Sequence, residues 1–376
     1  RGNHRRGSET ERSHGHYLTF VPLPPLIGHQ ALRARLEEQV RRGSLASSLL
    51  FTGPAGIGKQ RLALWLAQRL LCAEPGEPGG SCGVCQNCRY VEAGAHPDLL
   101  WIFPCASMKD GNTVPLGDVQ QYYAEAVAER IAGGGLYPRP DGSAGIFLYS
   151  SRLLVQRATL TPAMARRKVI VVGEAERMVS QAASQEAANA FLKLLEEPLA
   201  DTTILLTSSE PGALLATIRS RVIGVRVRPL GDAEMREFLA LPSAEGLVKG
   251  KVVDELVRLA HGAPGLLLDA DAKAAAMTRA RTLLDTAGRR RDNVYRVAYS
   301  HGSTKARGAF TDMLDALTEL LHERARAAAV SGDARAAGAG ARAVVMVEEA
   351  KRDAERNAVP QLVAFRLLTR LSDVFA

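Results

Sequence analysis

Short runs of apolar residues alternate with segments of helical periodicity over the first 230 or so residues of the chain. Four of these runs predict buried strands, at 47–51, 98–103, 168–172 and 202–207, and a fifth strand is predicted from Val222. Continuous apolar strands separated by helices are typical of a parallel sheet that is covered on both faces. The pattern therefore predicts an α/β domain over residues 25–228, preceded by a flexible basic arm at 1–24.

The remaining segments predict helices and one insertion. Residues 184–198 predict a helix with Ser184 as its N-cap. A segment rich in glycine and proline at about 105–145 breaks the pattern, and we expect a mobile insertion that contains a short helix around 120–131. After 229 the strands stop, so residues 229–270 predict a small helical domain and residues 271–376 a second one.

Composition sets few limits on function. A chain of 376 residues is long enough for two or three domains. Its net charge of +8 permits contact with DNA or with acidic partners and proves neither. It has no run of about 18 consecutive apolar residues, and its first residues lack the apolar region of a secretory signal. We therefore expect no membrane contact, and five cysteines, four of them clustered, indicate metal binding in a reducing compartment, which predicts the cytoplasm.

A glycine-rich loop follows the first predicted strand directly. It reads GPAGIGKQ over residues 53–60 and leads into a predicted helix. Gly53, Gly56 and Gly58 would let backbone N–H groups approach phosphate oxygens, and Lys59 would add positive charge at the helix N-terminus. This context is what a Walker A motif requires, and an accidental glycine-rich turn is the alternative. The loop predicts a site for ATP or ADP.

Two positions that normally hold Mg²⁺ in such a site are altered. Gln60 stands where Ser or Thr would place a hydroxyl group on the ion. Gly173 and Glu174 stand where an Asp-Glu pair would follow the strand at 168–172. Two independent contacts to Mg²⁺ are therefore absent. Binding of nucleotide phosphates remains possible, but we do not expect efficient phosphoryl transfer.

Four cysteines follow the predicted helix of the phosphate loop. Cys72 is followed by Cys82, Cys85 and Cys88 in SCGVCQNC. Two successive CxxC steps and one nearby cysteine supply the four thiolates of a closed structural Zn²⁺ site, so we expect a zinc module at 72–88. A redox CxxC pair or unligated cysteines are the alternatives.

Together these motifs resemble the delta-prime subunit family of the bacterial DNA polymerase III clamp loader, an AAA+ family. The resemblance covers about residues 26–227 and includes CGVCQNC, AHPDLLWI, KVIVVGEAERM and TILLTSSEPGALLATIRSRV. It implies an AAA+ P-loop domain, a helical lid and a C-terminal helical collar through which subunits assemble. It also places Glu174 and Thr207 beside the nucleotide, and it implies that Leu266 replaces an arginine that often contacts nucleotide in this family.

The same resemblance implies a role for Arg221. Ser220, Arg221 and Val222 match a Ser-Arg-Cys motif except at its third position. In that family the arginine projects into the ATP site of a neighbouring subunit, where a guanidinium group can stabilise charge on the transferring γ-phosphoryl group. Arg219 is the fallback candidate, because on an extended segment it would point the same way. An ordinary surface arginine is the alternative.

The leading hypothesis is a non-motor clamp-loader subunit of the DNA polymerase III holoenzyme, with little or no ATPase activity of its own. It would assemble with other clamp-loader subunits and act on the sliding clamp and primer-template DNA. An active motor subunit of the gamma/tau type is one alternative, which Gln60 and Gly173 disfavour. A zinc-containing nucleotide-binding adaptor is the other, which the IRSR segment disfavours.

Overall fold

A computed structural model describes residues 22–76, 80–108, 114–138, 144–178, 185–197, 199, 201–268, 270–287, 292–299, 309–355 and 358–375. Most of the predicted basic arm and the predicted N-cap Ser184 lie outside the described residues. Within them, no helix is both long enough and apolar enough to cross a membrane.

One parallel sheet of five strands forms the centre of the first part of the chain. Numbered along the chain, the strands are Ser48–Thr52 (β1), Leu99–Ile102 (β2), Lys168–Val172 (β3), Thr202–Ser208 (β4) and Ile223–Arg226 (β5). Their order in the sheet is β2-β3-β4-β1-β5, and every neighbouring pair is parallel. Each strand begins within one residue of its predicted start, so all five predicted strands are confirmed.

Helices cover both the sheet and the second half of the chain. They are Gln30–Arg41 (α1), Lys59–Leu71 (α2), Gln86–Glu92 (α3), Leu116–Ala132 (α4), Leu148–Thr159 (α5), Gln185–Glu196 (α6), Ala216–Arg219 (α7), Asp232–Leu239 (α8), Glu245–Val248 (α9), Val253–Ala260 (α10), Ala270–Ala287 (α11), Asp292–Tyr299 (α12), Ala309–Val330 (α13), Ala334–Glu355 (α14) and Pro360–Phe375 (α15). Because α2 packs on β1, β3 and β4, the phosphate loop is held over the middle of the sheet.

The described part of the predicted insertion is packed against the sheet rather than mobile. α4 is longer than the predicted short helix, and one face of it is buried at every fourth residue: Val119, Tyr123, Val127 and Ile131. This spacing places the four side chains on one side of a helix. The ends of the insertion are joined by backbone hydrogen bonds from Cys105 N to Gly145 O (3.0 Å) and from Gly145 N to Cys105 O (2.9 Å). The expectation of mobility is therefore wrong for these residues.

The chain beyond β5 is helical in its described residues. α8 and α10 share a small apolar core, and α11 to α15 share a separate and larger one. α15 buries Val363, Leu367 and Leu371 at the four-residue spacing of an amphipathic helix. The described residues thus form an α/β fold with a parallel sheet and a helical C-terminal region.

Candidate functional site

The phosphate loop connects β1 to α2 and borders a cavity of about 400 Å³. Small-molecule sites commonly enclose about 300–1,000 Å³. The walls come from residues 24–27, 55–61, 134–138 and 264–265, so the loop, the insertion and the segment after β5 all contribute. Gly58 caps α2 with a φ of +88°, a left-handed conformation that favours glycine. The predicted loop therefore borders a cavity of the right size for a nucleotide.

Lys59 is buried at the first residue of α2. Its ammonium group donates to the carbonyl oxygens of Gly53 (2.9 Å) and Pro54 (2.7 Å) and to the hydroxyl oxygen of Ser209 (2.9 Å). The first two partners belong to the loop, and Ser209 follows β4. The positive charge predicted for this loop is therefore held at its base, between β1 and β4.

The side-chain amide of Gln60 lies next to Gly173. Oε1 of Gln60 accepts hydrogen bonds from Trp101 Nε1 (2.9 Å) and from Arg130 Nη1 (3.4 Å). A Cβ atom built on Gly173 would lie 2.4 Å from Oε1 and 2.6 Å from Nε2 of Gln60. An aspartate at 173 would therefore collide with the amide of Gln60. The two altered positions are therefore sterically coupled.

Arg130 lies in an aromatic cage behind Gln60. Its guanidinium carbon lies 3.2 Å from the ring centroid of Phe103, 3.9 Å from that of Tyr137 and 5.3 Å from that of Trp101. Such cation–π contacts stabilise a buried guanidinium group. Burial lowers the pKa of Arg130, although an arginine stays protonated at neutral pH. Burial also raises the pKa of Tyr137 to about 12, so Tyr137 is neutral.

Sequence analysis missed Trp101, Arg130 and Tyr137. Trp101 is on β2, Arg130 is on α4 and Tyr137 follows α4, so no single segment carries a motif that joins them. The buried face of α4 was the signal that could have placed Arg130 near the sheet.

Glu174 and Thr207 meet where β3 and β4 end, and both border the cavity. The hydroxyl oxygen of Thr207 accepts a hydrogen bond from the backbone N–H of Glu174 at 3.1 Å. Glu174 has a φ of +49°, which is uncommon for a residue other than glycine. Burial raises the pKa of Glu174, while the neighbouring Arg177, with Nε 3.3 Å from the carboxylate, lowers it. Thr207 thus supports the backbone turn that presents Glu174.

The segment after α10 reaches back onto the phosphate loop. The N–H of Gly265 donates to the carbonyl oxygen of Gly56 at 2.9 Å. A Cβ atom on Gly265 would lie 2.7 Å from Gly56 Cα, so this close approach requires glycine. Leu266 follows and packs, partly buried, against the apolar core. Position 266 therefore contributes packing.

The four clustered cysteines converge between α2 and α3. Their Sγ atoms all lie within 4.8 Å of one another. Cys72 and Cys82 are 3.6 Å apart, and the pairs Cys72–Cys85 and Cys82–Cys88 are each 3.9 Å apart. A tetrahedron of Zn–S bonds of about 2.3 Å places sulfur atoms about 3.8 Å from one another. The donor set and its spacing fit Zn²⁺.

Arg221 lies at the surface, just after α7. Its Nη1 donates to the carbonyl oxygen of Thr217 at 2.8 Å, and its Nη2 pairs with Oε1 of Glu196 at 2.5 Å. Ser220 continues α7 with helical dihedral angles, so this segment is not extended. Because side chains two apart on a helical turn point in different directions, the expectation that Arg219 points the same way as Arg221 is wrong.

The first part of the chain is similar to known proteins. Residues 28–231, more than half of the chain, match the family described as DNA polymerase III, delta subunit. The DNA polymerase III subunit delta′ of Pseudomonas aeruginosa is 33% identical over 59% of this chain and 55% of that protein. The delta′ subunit of Bacillus subtilis is 30% identical over 54% of this chain and 49% of that protein. The chain thus spans about half the length of these curated relatives.

A solved structure is similar over a longer stretch at lower identity. It is a DNA polymerase III, gamma subunit-related protein from Thermotoga maritima, 17% identical over 91% of this chain and 99% of that chain, with a TM-score of 0.39. That score is too low to support the fold assignment, which depends on the sheet order described above. The family match and the delta′ relatives confirm the resemblance stated from the motifs, and the chain belongs to the DNA polymerase III delta subunit family.

Proposed function

We propose that this chain is a non-motor subunit of a DNA polymerase III clamp loader that helps to load the sliding clamp onto primer-template DNA. The observation that carries the proposal is that the amide of Gln60 lies where a side chain at position 173 would stand, so neither position offers the usual metal ligand, while the phosphate loop keeps its glycines and Lys59. Relatives named DNA polymerase III subunit delta′ support the same assignment. Since the chain spans about half the length of those relatives, its partners and its task belong to the proposal.

Arg221 would act on ATP that is bound by a neighbouring subunit. Its side chain is 32% exposed, and that of its partner Glu196 is 48% exposed. Ion pairs this exposed contribute about 0–1 kcal/mol, so the guanidinium group can exchange Glu196 for a phosphate group at small cost. An arginine supplied from a neighbouring protein can raise phosphoryl-transfer rates by several orders of magnitude, on the order of 10³–10⁵.

The chain's own site would bind phosphate without efficient hydrolysis. The phosphate loop, together with Lys59 at its base, would hold the phosphate groups of ATP or ADP, with Glu174 and Thr207 at the other side of the cavity. Phosphoryl transfer in P-loop proteins depends on a metal ion held by a hydroxyl and a carboxylate group. Gln60 and Gly173 supply neither group.

The cysteine cluster would hold a structural Zn²⁺ ion. Cys72 ends α2, and Cys85 is the N-cap of α3. Four thiolate ligands close the coordination shell, so the ion would fix α3 to the end of α2 and would take no part in chemistry.

Reconstitution of the clamp loader tests the role of Arg221. In a complex that carries Arg221→Ala we expect DNA-dependent ATPase activity to fall at least tenfold, while size-exclusion chromatography shows an intact complex. Arg219→Ala is the matched control, because it removes an exposed arginine two residues away. Unchanged activity in Arg221→Ala would exclude the role, and a loss confined to Arg219→Ala would move the role to that residue.

Steady-state ATPase assays of the purified chain test the non-motor assignment. We expect turnover far below that of a motor subunit of the same complex. Turnover comparable with a motor subunit and lost in Lys59→Ala would show that the chain is a motor itself.

A further inference from the structure

A cluster of four side chains closes one side of the nucleotide cavity. This cation-replacing cluster consists of Gln60, Trp101, Arg130 and Tyr137. Gln60 and Tyr137 border the cavity, and Trp101 and Arg130 hold Oε1 of Gln60 from behind. The guanidinium carbon of Arg130 in turn lies 3.2 Å from the ring centroid of Phe103 and 3.9 Å from that of Tyr137. The amide of Gln60 is therefore fixed by neighbours and cannot swing away without breaking these contacts.

A divalent cation does not fit beside this cluster. Mg²⁺ needs oxygen ligands at about 2.0–2.1 Å in nearly octahedral geometry. Oε1 of Gln60 already accepts two N–H groups, and Gly173 offers no side chain. Arg130 adds a fixed positive charge 3.4 Å from that oxygen, which repels a second cation.

Two of the carboxylates that line the cavity make contacts with protein groups, although Oε2 of Glu176 is buried without a hydrogen-bond partner among the described residues. Glu174 pairs with Arg177, and Oε1 of Glu176 accepts the backbone N–H of Ser209 at 2.8 Å. Positive charge of the protein itself lies on this side of the cavity, on Lys59 at the base of the loop and on Arg130 behind Gln60.

We infer that this cavity binds a nucleoside diphosphate or triphosphate without a divalent cation, the amide of Gln60 and the guanidinium group of Arg130 taking the cation's place. The inference rests on the proposed nucleotide pocket and is independent of the role of Arg221. Arg130 and Tyr137 both come from the insertion, so the insertion makes the site metal-independent. Gly134 of the insertion also lies close to Ser243 in the helical segment after β5, since a Cβ atom on Gly134 would lie 2.7 Å from Ser243 Cβ.

Calorimetric titration of the full chain with ADP tests this inference directly. One titration contains excess Mg²⁺, and the other uses metal-depleted buffer without a chelator, so that the cysteine-bound zinc is retained. We expect the two Kd values to agree within about twofold and Lys59→Ala to abolish binding in both. Affinity at least tenfold higher with Mg²⁺, no binding of ADP in either buffer, or binding that survives Lys59→Ala would each overturn the inference.

Variants of the cluster provide a second test. In Gln60→Ser/Gly173→Asp, a hydroxyl and a carboxylate group replace the amide, and we expect ADP to bind at least fivefold more tightly with Mg²⁺ than without it. In Arg130→Gln we expect affinity for ADP to fall several-fold in both buffers. Arg335→Gln, an exposed arginine on α14, is the matched control and should bind like the unmodified chain.

Thermal unfolding and zinc content establish that each variant is folded. A folded double variant that stays indifferent to Mg²⁺, or a folded Arg130→Gln that binds normally, would contradict the inference. Failure of the Arg221 proposal would show only in the ATPase activity of the complex and would leave these titrations unchanged.

Discussion

Oε1 of Gln60 lies 2.4 Å from the place that a Cβ atom on Gly173 would occupy. This distance is far below an ordinary contact, so the long amide at 60 and the missing side chain at 173 require each other. A change at either position alone cannot restore the usual pair of metal ligands. Restoration needs both changes together.

Gly173→Asp should therefore destabilise the chain. The added atoms overpack a filled site, and we expect the free energy of unfolding to fall by about 1–3 kcal/mol. Adding Gln60→Ser should recover part of that loss, so urea unfolding of both single variants and the double variant should show favourable coupling. Gly212→Asp is the control, because a Cβ atom there meets nothing within 4 Å. Strictly additive effects of the two changes would show that positions 60 and 173 are not coupled.

Zinc should be present at one ion per chain and should depend on the four clustered cysteines. We expect Cys88→Ser to lose the metal and to lower the free energy of unfolding by at least about 2 kcal/mol, since metal binding stabilises only the folded site. Cys105→Ser should keep zinc, because Cys105 is buried elsewhere with its Sγ near the carbonyl oxygen of Gly145. Elemental analysis measures the zinc content of the purified Cys88→Ser and Cys105→Ser variants. Zinc retained in Cys88→Ser would exclude the proposed ligand set.

Asp98 should make stability depend on pH. Burial raises the pKa of its carboxyl group, but hydrogen bonds from the backbone N–H groups of Ala163, Met164 and Ala165, at 2.6–2.8 Å, outweigh it and lower the pKa overall. A lowered folded pKa means that the stabilisation is complete above the unfolded value of about 3.9 and is lost as the pH falls through the folded pKa.

Asp98→Asn should accordingly lower the free energy of unfolding by about 2–3 kcal/mol at neutral pH, because an amide cannot accept all three donors. The difference from the unmodified chain should stay constant down to about pH 5 and narrow below about pH 4. Urea unfolding of both proteins at several pH values measures this difference in the free energy of unfolding. A difference that does not change with pH would rule out a role for the carboxylate charge.

Glu196→Gln should have little effect on stability. The pair with Arg221 is exposed, so we expect a change in the free energy of unfolding of less than about 1 kcal/mol. Asp254→Asn, which removes the partner of Arg236 in another exposed pair, should behave alike. A loss of more than about 2 kcal/mol in Glu196→Gln would mean that Arg221 is a structural residue, and the proposed exchange of partners would fail.

The insertion shows where sequence interpretation went wrong for a recognisable reason. Its content of glycine and proline suggested a mobile loop, yet Val119, Tyr123, Val127 and Ile131 already repeat at a helical interval. Had that spacing outweighed the composition of 133–145, a packed helix would have been predicted. The direction of Arg219 was wrong for a different reason, since four-residue α7 is too short to carry a periodic signal.

The five strands, the phosphate loop and the cysteine cluster follow from the sequence by itself. Each depends on residues close together in the chain: apolar runs, glycines at a helix start, or thiols a few residues apart. Only the tertiary structure decided which side chains surround Gln60. Trp101 and Arg130 reach Gln60 from 41 and 70 residues away, and contacts at such separation leave no local pattern. They are set by packing of β2 and α4 on the sheet, which places Trp101 and Arg130 against the amide of Gln60.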